Sequence, residues 1–111
     1  MEISSKKVGN VLIIAINGRL DALTSSKLES KMCEFISSGE NKIVIDLGEL
    51  EYISSAGLRA ILFCAKKLKA TEGDIAFANI TGMISEVFEI SGFGTMFNIY
   101  SSALTAAEKI S

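Results

Sequence analysis

The chain of 111 residues has no histidine and only two cysteines, Cys33 and Cys64. Without imidazole the usual neutral-pH proton shuttle is missing, and neither a Ser-His nor a Cys-His nucleophile can be assembled. Two thiols without a histidine also make a poor zinc site, so no metal or cofactor is expected. The cysteines fall in separate helical segments beside apolar stripes, where a structural disulfide is not expected in a reducing compartment. A glycine-rich loop carrying the lysine that cradles nucleotide phosphates is absent as well. The chain is therefore not expected to be an enzyme.

Charge is sparse and mixed. The formal net charge is −2, with acids and bases interspersed, and no basic block could neutralise a row of phosphates, so nucleic acid is not an expected partner. The longest apolar run, Val11 to Ile16, is far too short to cross a bilayer. The opening Met1-Glu2-Ile3-Ser4-Ser5-Lys6-Lys7 lacks the basic-then-apolar layout of a secretion signal, and a cytoplasmic location is expected. Apolar residues make up 49% of the chain, well above a disordered composition, and the length suits one core: a single domain over residues 1–111.

Several segments have a clear period. Residues 2–7 alternate weakly, Val8-Gly9-Asn10 supplies a turn, and Val11 to Ile16 is a β-branched run typical of a strand covered on both faces; together they predict an antiparallel hairpin. Asn17 to Asp21 leads into a helix for which Thr24, Ser25 and Ser26 are candidate caps. Ser26-Lys27-Leu28-Glu29 fits the reciprocal capping pattern. Leu28, Met32, Phe35 and Ile36 keep helical spacing on one side, and Gly39 stops the helix. Lys42 to Leu47 and Asp74 to Ala78 read as further core strands. Thr81 heads a short helix carrying Ile84, Val87 and Phe88; Gly92-Phe93-Gly94 breaks the chain; Met96 to Tyr100 forms a last strand; and Ser101 or Ser102 caps a terminal helix. The order β-β-α-β-α-β-α-β-α, with crossovers of this length, predicts an α/β fold: a mostly parallel, five-stranded mixed sheet with about four helices.

Asp46 to Leu58 holds the most chemistry. It reads as a buried strand, a short acidic crossing loop bearing Glu49 and Glu51, and a helix that opens on Ser54 and Ser55. A hydroxyl at that place either caps the helix or stands where free N–H groups can receive an added phosphate. Leu58, Ile61, Leu62, Ala65 and Leu68 face the core, and Lys66, Lys67 and Lys69 suit the negative end of the helix. Gly57 serves either close helix–sheet packing or access to the hydroxyls.

From about residue 3 to 108 the chain resembles the STAS domain of bacterial anti-sigma factor antagonists. Three segments carry the likeness: Gly18-Arg19-Leu20-Asp21 with Thr24 following, Ile43 to Leu58, and Phe88 to Phe93 with Phe97-Asn98-Ile99-Tyr100. In that family an anti-sigma factor that is also a Ser/Thr kinase phosphorylates one serine at the start of a switch helix, in an Asp-Ser-Ser/Thr-Gly-Leu context. Alignment on Gly57-Leu58 puts the acceptor at Ser55. Ser54 stands in place of the usual aspartate, and Ala56 in place of the second hydroxyl.

The resemblance implies that the unmodified form binds an anti-sigma factor and releases a sigma factor, that phosphorylated Ser55 ends the binding, and that a Ser/Thr phosphatase restores it. It also supports Asp21 as a contact residue; the partner surface is expected around Asp21, Thr24, Ser54, Ala56, Gly57 and Arg59, and a monomer is the default state. For Asp21 a capping role before Thr24 is the alternative. The Ser54 departure keeps open a second role, as a constitutive STAS subunit against a transporter ATPase or in a signalling assembly without a phospho-switch.

Overall fold

Val11, Leu12, Ile13 and Ile14 send alternate side chains to two faces of a strand, and all four are buried. The computed structural model describes residues 1–111. Its elements run β1 (Glu2–Val8), β2 (Val11–Leu20), α1 (Ser25–Ser37), β3 (Lys42–Asp46), β4 (Leu50–Ile53), α2 (Ser55–Ala70), β5 (Asp74–Ala78), α3 (Gly82–Ser91), α4 (Phe93–Met96), β6 (Asn98–Tyr100) and α5 (Ala103–Ile110). The sheet has six strands in the order β1-β2-β3-β5-β6, with β4 paired to β2 off that path. Only the β1–β2 hairpin is antiparallel.

Burial on both faces follows from helices on both faces. Leu12, Ile14, Ile16 and Leu20 of β2 pack with Leu28 and Met32 of α1, Ile61 and Leu68 of α2, and Ile84 and Phe88 of α3. The opposite face carries Val11, Ile13, Val44, Ala76 and Ala78 against Ala106, Ala107 and Ile110 of α5. Alanines on both sides of that second contact let α5 lie close to the sheet. On the first face four rings form a closed circuit, Phe77–Phe88–Phe93–Phe97, with centroids 5.1–5.5 Å apart. Such tilted and edge-on pairs are worth roughly 0.5–1.5 kcal/mol each beyond area burial.

The mixed, mostly parallel sheet agrees with the sequence reading, with one strand and one helix more. Leu50–Ile53, expected as part of an acidic crossing loop, forms β4 because its partner is the far half of β2. β2 itself runs on to Leu20 through Asn17 and Gly18, residues with little strand preference. Gly18 has φ +104, and the register shifts between Gly18 and Arg19. That irregularity lies beyond the segment of β2 paired with β3 and at the start of the segment paired with β4.

Three local expectations also change. The glycine break contains the single turn α4, and the last strand begins at Asn98. The reciprocal cap from Ser26 does not form: α1 begins at Ser25 after Thr24, with no side-chain cap bond. The Asp21 carbonyl instead accepts from both the Ser25 N–H (2.9 Å) and the Ser25 hydroxyl.

Phe77→Ala opens the centre of the aromatic circuit and is expected to cost about 3–5 kcal/mol in urea unfolding. Ile90→Ala, at a residue 87% exposed, should stay within about 0.5 kcal/mol of wild type. Equal losses in the two variants would contradict this packing.

Candidate functional site

Two parallel strands end together at one rim of the sheet. Leu20 of β2 pairs with Ile53 of β4; β2 then leaves into the Asp21 loop and β4 into Ser54. The Ser54 N–H donates to the Leu20 carbonyl at 2.9 Å, binding the two exits to each other.

Ser54 is the N-cap of α2: its backbone is extended (φ −96, ψ 174) and its hydroxyl accepts from the Gly57 N–H at 3.1 Å. This decides between the two hydroxyls, since Ser54 does the capping and Ser55 is left as the first helical residue, exposed to solvent. The amides of Ser55 and Ala56 have no acceptor within the chain, so two N–H donors point outward beside the free hydroxyl.

Gly57 is buried, and its role here is spacing. A Cβ there would lie 2.6 Å from the Leu20 carbonyl oxygen, 2.9 Å from Ile53 Cγ1 and 3.0 Å from Leu20 Cγ. The first turn of α2 can rest on the end of β2 only because that atom is absent. Ala56 is half-buried, and Arg59, one turn further on, is exposed.

The Asp21 loop is held from within. Asp21 Oδ1 accepts from the Leu23 N–H (3.0 Å), the Thr24 N–H (3.2 Å) and lies 3.2 Å from the Thr24 hydroxyl. That hydroxyl accepts from the Asp21 N–H (2.9 Å) and gives its single proton more closely to the Arg19 carbonyl (2.9 Å). Asp21 Oδ2 has only Arg19 Nε at 3.9 Å, and the Arg19 guanidinium lies over the Tyr52 ring, 4.2 Å from its centroid. Desolvation alone would raise the Asp21 pKa. The bonds from the Thr24 and Leu23 amides, with the Arg19 charge, outweigh it and hold the carboxyl below its ordinary 3.8.

Asp21, Thr24, Ser54 and Ser55 are thus brought to one rim, with Arg59 on the adjoining face of α2. Glu49 and Glu51 are exposed on the approach to β4 and along it. Two features of this rim were not visible in the sequence. The Arg19–Tyr52 stack needs the β2–β4 register, which no local pattern shows. Leu23 stands 89% exposed beside Asp21, and a single leucine in a loop carries no periodic signal.

No group of three or more His, Cys, Asp or Glu is placed to hold a metal ion. Both cysteines are free thiols. Burial, with smaller contributions from Glu29 and Cys33, pushes the Cys64 thiol up to about 12, so it stays protonated and unreactive near neutral pH.

Gly57→Ala is expected to lose about 1–3 kcal/mol through overpacking against backbone, and Ser54→Ala about 1 kcal/mol through the lost cap; urea midpoints measure both, and an unchanged Gly57→Ala midpoint would refute the close seat. Asp21 adds a pH dependence. Because its folded pKa lies below the ordinary 3.8, its contribution is complete above that value and is lost as pH falls through the lower, folded one. The stability gap between wild type and Asp21→Asn should therefore be widest near neutrality and shrink in acid. A gap independent of pH would contradict the loop geometry.

The STAS domain family model matches residues 2–106. BtrV of Bordetella bronchiseptica, which carries the name of an anti-sigma factor antagonist, is 36% identical over 107 residues, covering 96% of this chain and 92% of its own. The anti-sigma F factor antagonist of Paenibacillus polymyxa is 29% identical over 115 residues, covering 100% and 98%. Among solved structures, a Thermotoga maritima protein described in the same terms as BtrV superposes with TM-score 0.91 at 24% identity, over 97% of this chain and 93% of its own. The Bacillus cell fate determinant SpoIIAA in its phosphorylated form gives 0.76 at 20% identity, over 99% and 100%. The two structures show a shared fold; the family match over nearly the whole chain shows descent. This chain belongs to the STAS domain family.

Proposed function

We propose that this chain is an anti-sigma factor antagonist whose binding is switched off by phosphorylation of Ser55. Unmodified, it docks through the rim formed by the Asp21 loop and the start of α2 onto an anti-sigma factor, which then releases its sigma factor. The same anti-sigma factor acts as a Ser/Thr kinase on Ser55, and a Ser/Thr phosphatase reverses the modification. The protein works as a monomer in the cytoplasm, as a binding module and a substrate rather than a catalyst. None of its helices is long and apolar enough to cross a membrane.

The observation that carries this reading is the exposed Ser55 hydroxyl on the first residue of a helix, beside two amides without acceptors. Such a substrate has little to contribute beyond a hydroxyl in fixed geometry, because the kinase brings nucleotide, magnesium and base. Ser55 Oγ forms a bond to the γ-phosphorus of ATP, the bond to the ADP oxygen breaks, and the hydroxyl proton passes to the kinase. Ser54 keeps the geometry despite replacing the family's aspartate, since its own oxygen supplies the acceptor that caps Gly57.

Two effects of the phosphate oppose each other. It brings roughly −1.5 to −2 charges at neutral pH, which the helix terminus favours by about 0.3–1 kcal/mol. At a docked surface, like charges brought together cost several kcal/mol, and about 1.4 kcal/mol already changes affinity tenfold. The interface effect is larger, so the modified protein keeps its fold and loses its partner.

The absent aspartate also favours a second reading, in which a STAS subunit binds its partner whatever the state of Ser55. Intact mass after incubation with the cognate kinase and ATP separates the two. The switch requires wild type to gain one phosphate and Ser55→Ala none. An unmodified wild type, or phosphate that persists on Ser55→Ala, overturns it. Binding that survives Ser55→Asp supports the constitutive subunit.

A further inference from the structure

We infer that Arg59 receives the Ser55 phosphate within the chain, so that modification both adds an anion to the docking face and withdraws a cation from it. This rests on the reading of Ser55 as the phosphorylated residue and concerns what the phosphate then touches.

Arg59 follows Ser55 by four residues on the 16-residue helix α2. At that spacing two side chains are neighbours on the helix surface, with Cβ atoms about 6 Å apart, and an anion N-terminal to a cation is the better of the two orders. Both residues are exposed. Between Ser55 and Ala70 the helix carries Arg59, Lys66, Lys67 and Lys69 and no acidic residue, so no carboxylate on α2 competes for the guanidinium. Arg59 takes part in none of the four ion pairs of the chain.

The charged groups on the elements around this turn are committed or acidic. Arg19 is held by Asp21 and by the Tyr52 ring. On α1, Lys27 donates to the Met1 carbonyl and Lys31 pairs with Glu34. Glu29 on α1 and Glu51 on β4 are acids, and Asp21 is bound into its own loop. Arg59 is left as the uncommitted cation one turn from the hydroxyl, with a planar fork suited to two phosphate oxygens at once.

The unmodified protein then offers a partner a free guanidinium and a neutral hydroxyl at neighbouring positions, a pairing suited to an acidic group on the partner. In the phosphorylated protein that guanidinium is occupied from within and a dianion stands in front of it. Both changes act against the same partner group.

The test uses full-length protein with phosphoserine installed at position 55 by codon reassignment, so it does not depend on any kinase. The second ionisation of the phosphate, near pH ~6 in the free residue, is followed by ³¹P NMR. Arg59→Gln should raise the midpoint by about 0.2–0.4 pH unit relative to the parent. Arg59→Lys should retain most of the parent's value, and Lys66→Gln, two turns further along, should leave it unmoved. An Arg59→Gln midpoint equal to the parent's, or a shift no larger than that of Lys66→Gln, overturns the inference, provided far-UV circular dichroism shows the fold intact. A wild-type protein that no kinase modifies would sink the proposed switch and leave this measurement readable.

Discussion

One backbone hydrogen bond, from the Ser54 N–H to the Leu20 carbonyl at 2.9 Å, joins the two halves of the candidate site. It ties the exit of β4 to the exit of β2 and so sets the start of α2 against the Asp21 loop. Gly57 makes the arrangement sterically possible, because any side chain there would meet the same Leu20 carbonyl. Ser54 then satisfies the Gly57 amide, and Ser55 has nothing left to do inside the molecule. A hydroxyl free of structural duty, on a rigid element, is what a reversible chemical signal needs.

The rest of the fold keeps that rim still. Leu20 and Ile53 at the rim pack into the layer formed with α1, α2 and α3, while α5 covers the opposite face over Val11 and Ile13 of β2 and over β3 and β5. The register irregularity after Gly18 places the last residues of β2 against β4, and without β4 nothing would position Ser54 beside Leu20. Two charges at the rim are held, Asp21 by its own loop amides and Arg19, and Arg19 by Tyr52. On the proposed reading, the charge at the rim changes when a phosphate is added to Ser55.

Much of the architecture was legible from period and composition. The runs Val11–Ile16, Ile43–Ile45 and Ile75–Phe77 are continuous apolar segments, and each became a buried strand. Leu28 and Met32, and Ile61 and Leu68, marked helix faces that the core now holds, and Ser102 caps the last helix as its position suggested. What escaped was non-local or brief. β4 is four residues with an exposed glutamate, stabilised by a partner thirty-odd positions away in sequence. α4 is a single turn between glycine and strand. The apparent capping pattern at Ser26 lost to the Asp21 carbonyl, which no sequence motif announces. At the site, the family likeness pointed to Ser55 and Asp21, and the sequence read Ser54 as a cap or polar neighbour and left packing or access open for Gly57; the Ser54–Gly57 bond and the contact of Gly57 with the Leu20 carbonyl settle those two roles.

Backbone amide exchange followed residue by residue by NMR tests the central constraint most directly. The Ser54 amide, bound to the Leu20 carbonyl, should be protected, and the Ser55 and Ala56 amides, which have no acceptor, should exchange at nearly the rate of an unstructured chain. Rapid exchange at Ser54, or protection at Ser55 and Ala56 equal to it, would show that the hydroxyl is not presented on a fixed, open helix end.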